Sequence, residues 1–297
     1  MLIQLRRRPA VIDFGLLVYL SSIALGGGFS PSGVEAQEPS AKQAVPARAV
    51  AAFPEDRSLT DVEYIRRGVP AHDRVWSAGD LQSALKALSE IAAQDPGLLP
   101  RFDSKRSGAT FGRMTAAENL ELLKDRSLPL AVRMPMGIAT LETTGELTKL
   151  YLDGFARNAI GGVEMVELMG IMFRSAEAVV VLVDEFLPTL PPDDPDREVR
   201  QAGLEQMKRG MGTMIAGGLT TLTEDGFSTA DRIRLAGYLR ETVPTIAGSL
   251  SKASQSEILR RLDDMTRDPK LKEVHPAIDE LRKAVREKVE PAEQPPR

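Results

Sequence analysis

Val163 to Leu222 read VEMVELMGIMFRSAEAVVVLVDEFLPTLPPDDPDREVRQAGLEQMKRGMGTMIAGGLTTL. Met165, Met169, Met172, Ala176, Val179, Val183 and Phe186 recur at alternating steps of four and three, an unbroken heptad stripe down one face of a helix. Val166, Phe173, Val180 and Leu187 form a second stripe. Leu168, Ile171, Ala178 and Leu182 cover much of the rest. Only Glu167, Arg174, Glu177 and Asp184 make a polar rib. A helix that is apolar almost all round belongs in a core.

The second half of the stretch follows a proline-rich elbow, Pro188–Pro195. Asp194 suits an N-cap and Pro195 a first helical position. Gly203, Met207, Gly210, Met214 and Gly217 again alternate by four and three. Glycines inside a helix each cost about 1 kcal/mol relative to alanine, so close packing is the expected compensation. The fold expected is therefore all-α: a bundle of about eight helices built around a long antiparallel helical hairpin, about 163–187 and 195–222. Bulky residues of the first arm are expected over the glycines of the second.

Outward from this stretch, capping patterns mark further helices. Thr60–Glu63, Ser77–Asp80, Thr115–Glu118 and Ser228–Asp231 each place an acid three residues after a hydroxyl. Pro129 and Pro135 are expected to break the chain before a helix from about Met136 to Ala159, and Pro244 with Gly248 to interrupt another. Ile258–Met265 and Val274–Val289 complete the series. No stretch alternates with period two for long, which argues against a sheet. No internal repeat stands out, although a succession of helices is able to hide a diverged one.

The N-terminus has a different character. Arg6–Arg8, the short apolar run Phe14–Leu25 and the small-residue site Val34-Glu35-Ala36 resemble a secretory signal. Residues 1–36 are expected to be that signal, 37–57 a disordered Ala/Pro-rich linker, 58–289 a single all-helical domain and 290–297 a disordered tail. A subdomain ending near residue 127 is the other division. Export to the periplasm or medium is expected; a membrane anchor formed by residues 10–28 is the alternative, and it would be the only membrane contact. The chain has no cysteine, so an exported form would lack disulfides, which a chain this long tolerates. Removing 1–36 takes away three arginines and two acids (Asp13 and Glu35), moving the net charge from −4 to −5. An acidic balance argues against nucleic acid.

Candidate chemistry is sparse. Arg101, Ser104, Lys105, Arg106, Ser107, Gly108, Thr110 and Arg113 precede a helix start, where free backbone N–H groups favour an anion. The alternative is a solvated loop. Met165, Met169, Met172, Met207, Met211 and Met214 suit either flexible core filling or an adaptable apolar groove for a lipid tail or partner helix. A thioether copper site has no histidine or cysteine beside it for support. The polar rib would face water, close through an Arg174–Glu177 pair, or line a cleft. His72 and His275 are expected at the surface; two histidines cannot make a multi-histidine zinc site. Trp76 before a helix start suits a hydrophobic staple, or a stacking surface for a sugar. Ser83–Lys86 and Ser249–Lys252 have Ser-x-x-Lys spacing without companion motifs.

These observations predict an exported, non-enzymatic helical protein of the cell envelope that acts through protein–protein or surface contacts, as a structural, scaffold or chaperone-like component. An apolar-ligand carrier using the Gly/Met seam is the alternative, and a carboxylate-dependent enzyme the second. No catalytic residue, cofactor or metal is assigned.

Overall fold

The structure is a computed structural model describing residues 55–189, 191 and 197–290. The signal-like segment, most of the linker, Asp194–Pro195 and the tail beyond Glu290 lie outside the described residues. Among the described residues every regular element is helical. They are α1 (Asp61–Arg66), α2 (Ala78–Gln94), α3 (Gly108–Met114), α4 (Glu121–Lys124), α5 (Leu130–Ala156), α6 (Gly162–Phe186), α7 (Arg197–Thr221), α8 (Thr229–Gly248), α9 (Lys252–Met265) and α10 (His275–Val289).

Local chemistry sets most boundaries. Thr60, Ser77 and Ser228 each accept from the third backbone N–H of their helix, while Glu63, Asp80 and Asp231 return the bond to the cap. The Thr115 pattern does not cap a helix. Its hydroxyl donates to the Phe111 carbonyl at 3.1 Å, and a 3-10 turn, Ala117–Leu120, precedes the short α4 instead. Neither Pro135 nor Pro244 breaks its helix: both lie inside, in α5 and α8. A proline removes one backbone donor, and the surrounding packing outweighs that loss.

α5 and α6 pack closely as a helical hairpin. Arg133 meets Glu185, Gly137 lies under Leu182, and the Thr148 hydroxyl reaches the Leu168 carbonyl. These pairs run in opposite directions along the sequence, so the helices are antiparallel. α8 lies on the other side of α6. Here Glu167 meets Tyr238, Arg174 meets Glu241 and Asp184 meets Ser249. The numbers rise together, so α6 and α8 are parallel. α10 continues the row beside α8, linked by Thr229–Glu273 and Arg240–Glu280, and is parallel to it. The core of the molecule is thus a row, α2–α5–α6–α8–α10.

The helices expected at 163–187 and 195–222 are present as α6 and α7, but their seam is not the main contact. α7 is the return path that lets α8 start beside the start of α6. Its C-terminal end packs where Phe173 fills the space over Gly218. Its first turns stand away: Val199 is 72% exposed and a Cβ added at Gly203 would meet nothing within 4 Å, and contact with the core begins only at Leu204 and Met207. The reason is competition. α6 is apolar on several sides, and α5 and α8 take the larger ones. One hydrophobic cluster runs from Tyr64 to Val289; a smaller one joins Leu120, Leu123, Ile171, Ala178 and Leu182.

Candidate functional site

Because α6 and α8 are parallel, their N-termini lie side by side. Gly162 approaches so close that an added Cβ would sit 3.0 Å from the Asp231 carboxylate. The Arg101–Ser104 loop folds over this end. Between them opens a cleft of about 510 Å³, lined by Asp56, Arg101, Phe102, Asp103, Ser104, Gly161, Val163, Glu164, Ser228, Ala230, Asp231 and Arg234.

Its floor is charged and buried. Glu164 is 4% exposed and Arg101 5%. Glu164 accepts the Gly161 N–H at 3.1 Å, capping α6, and the Phe102 N–H at 3.2 Å, tying the loop down. Burial raises its pKa above the usual glutamate value, and the nearby Arg101 charge offsets only part of that effect. Arg101 donates Nη2 to the Ala159 carbonyl, which pins the α5–α6 turn. Its Nε has no hydrogen-bond partner, and Arg101 forms no ion pair among the described residues. A buried guanidinium left so incompletely matched is costly unless something else completes it.

The rim is ordered by short polar contacts. Asp56 accepts from Ser58 at 2.5 Å and from Ser104 at 2.7 Å. Burial pushes the Asp56 carboxyl up, but these bonds outweigh it and leave the group below its usual value. Arg234 lies over the Phe102 ring, 5.0 Å from its centre, and pairs with Glu167 at 3.3 Å. Asp103 adopts a left-handed backbone with φ of 53°, a conformation that aspartate tolerates better than most residues.

The cation cluster read from sequence does not converge here. Arg101 and Ser104 line the cleft. Lys105 and Arg106 are exposed. Ser107 is buried; its hydroxyl accepts from the Arg101 N–H and donates to Ser58. Arg113 points elsewhere, its Nε on the His72 carbonyl at 3.3 Å. Sequence reasoning missed Glu164 and Arg234. The signal for Glu164 was its place three residues after a glycine N-cap; no local pattern singles out Arg234.

The methionines lie elsewhere. Met165, Met169, Met172, Met211 and Met214 are all 2% exposed or less and belong to the main hydrophobic cluster. Met207 is half-buried against it. The polar rib does not close through Arg174–Glu177. Arg174 pairs with Glu241 at 2.8 Å and covers the Tyr238 ring, while Glu177 is bonded to Thr245. Each rib residue has a partner on α8 or, for Asp184, at its C-cap Ser249, because a parallel helix offers polar groups at matching heights.

The histidines are half-buried, not at the surface. His275 bonds the Asp268 carbonyl through Nε2, whereas His72 Nδ1 is buried without a partner. Trp76 is fully buried and donates to the Ala71 carbonyl at 2.8 Å, so its ring is core and offers no stacking face. Among the described residues no cluster of three or more His, Asp or Glu suits a metal ion, and no helix is long and apolar enough to cross a membrane. In comparison with known proteins, the chain matches no family model, no curated protein and no solved structure.

Proposed function

We propose that this chain is an exported helical protein of the cell envelope that works by binding a protein partner through the open face of its helix row. The observation that carries this reading is the face itself. α7 packs on one side of the α6–α8 pair, and the polar rib opens on the other. Val132 and Val181 are 46% and 40% exposed at the neighbouring ends of α5 and α6, and Ile233 is 47% exposed near the start of α8, toward the other end of the row. Exposed apolar groups among charges suit a contact surface better than bulk solvent. Cross-helix pairs such as Arg174–Glu241 and Arg240–Glu280 hold the face in shape. Export draws support from Arg6–Arg8, the apolar run Phe14–Leu25 and the small residues at Val34-Glu35-Ala36.

The test is affinity capture of the tagged chain beside a Val181→Asp/Ile233→Asp double variant whose circular dichroism and melting match the parent. A partner retained by the parent and lost by the variant supports the reading. Equal capture by both, or export of neither, removes it.

A further inference from the structure

We propose that the cleft between the N-termini of α6 and α8 holds a small zwitterion, a molecule carrying both a carboxylate and an ammonium group on a short apolar body. This inference does not depend on the partner-binding face.

The cleft needs an acceptor. Arg101 is nine-tenths buried and lines it, yet among the described residues only its Nη2 has an acceptor, and Nε has none. Guanidinium and carboxylate match in shape and charge, so a carboxylate is the group that completes Arg101. The N-termini of α6 and α8 converge on the same space and add partial positive charge.

The cleft also has acceptors of its own. Asp56, Asp103, Glu164 and Asp231 line it, against Arg101 and Arg234. Glu164 and Asp231 are engaged as helix caps and Asp56 by two serines. A carboxylate nevertheless accepts about four hydrogen bonds, so lone pairs remain at the rim. A simple anion would meet these acids unfavourably. A zwitterion answers both needs, its carboxylate toward Arg101 and its ammonium toward the acids, with no net charge to place. Phe102, Val163 and Ala230 give the body an apolar wall. A volume of about 510 Å³ exceeds what a single inorganic ion requires.

Calorimetric titration of the full chain with leucine, acetate and methylamine tests this. Leucine is expected to bind saturably, at least about tenfold more tightly than either fragment, because each fragment satisfies only one end of the site. Acetate binding as tightly as leucine, or no saturable binding by leucine, overturns the proposal. Arg101→Gln is expected to abolish binding, but it also removes the bond to Ala159. Ala230→Trp is the cleaner variant, because Ala230 is an exposed residue in the first turn of α8 and its enlargement fills the cleft from outside. It is expected to leave the unfolding transition unchanged and to eliminate leucine binding. Unchanged leucine binding by Ala230→Trp places the ligand elsewhere and overturns the assignment.

Discussion

The Tyr238 hydroxyl donates to Glu167 at 2.7 Å across the α6–α8 contact, and the ring below that hydroxyl lies directly on Gly170. Hydrogen bond and close approach depend on each other. The ring reaches Glu167 only because residue 170 has no side chain. A Cβ there would sit 2.7 Å from a ring carbon, and a ring edge packed between helices has little room to retreat. Gly170→Ala is therefore expected to destabilise the fold by about 1–3 kcal/mol despite alanine's better helix propensity. Urea unfolding measures it; a stability gain would mean that α8 does not lie on α6 in this register.

Two glycines distinguish the two ends of α7. At Gly218 an added Cβ would be 2.6 Å from the Phe173 ring, whereas Gly203 has nothing within reach. Gly203→Ala is expected to stabilise by about 0.5–1 kcal/mol, the ordinary helix preference. Gly218→Ala is expected to destabilise. Thermal melts of the two variants should move in opposite directions.

Gln255 is 4% exposed and donates through its amide nitrogen to the carbonyls of Ala247 and Leu250, at 3.0 and 3.1 Å. It thereby ties α9 to the end of α8, where backbone acceptors lack helical partners. Gln255→Leu removes the side-chain donor from both carbonyls, of which Ala247's keeps the Leu250 N–H, and is expected to cost about 1 kcal/mol. Faster amide exchange in the last turn of α8 would accompany the loss.

Acid should act at the start of α2. The Arg74 guanidinium, with the Ser77 N–H and hydroxyl, holds Asp80 down to about 2 against the opposing effect of burial. A depressed carboxylate contributes stability that is complete above its unfolded value of 3.8 and is lost as pH falls through about 2. Arg74 is well exposed, so the screened contribution is about 1 kcal/mol or less. Asp80→Asn should flatten the acid limb of the stability profile in that window; an unchanged limb would show that the pair contributes nothing.

Glu164 should show the opposite sign. Burial raises its pKa above the usual 4.5, so the folded state keeps its proton longer than the unfolded chain does. The stabilisation is present below 4.5 and disappears as pH rises through the folded value. Relative to Glu164→Gln, the parent chain should therefore lose stability as pH increases from this region. Denaturant titrations of both proteins across that range read the difference, and parallel profiles would contradict the buried carboxyl.

Local features were legible in the residues. Thr60, Ser77 and Ser228 announce their helices because a cap is satisfied within four positions of the chain. The stripes on 163–186 announce a buried helix because side-chain burial follows the helical period. Pro135 and Pro244 misled for a related reason. A proline lowers local helix preference by a known amount, but what outweighs it is packing contributed by distant segments. For the site, Arg101 was visible as part of a basic run. Its burial was not, because a charge run carries no sign of which member the fold encloses.

The amino-acid sequence by itself determined an all-helical chain, the positions of its long helices and the apolar identity of its centre. Those properties follow from periodicity and capping, which act over a few residues. Only the tertiary structure decided that α5 and α8, not α7, are the close neighbours of α6. A helix apolar on several sides satisfies many partners equally well, and the choice depends on shape matches such as Tyr238 on Gly170. The cleft followed from that choice. Arg101, Glu164 and Asp231 lie far apart in sequence, and they share one space only because parallel packing brings two helix N-termini together.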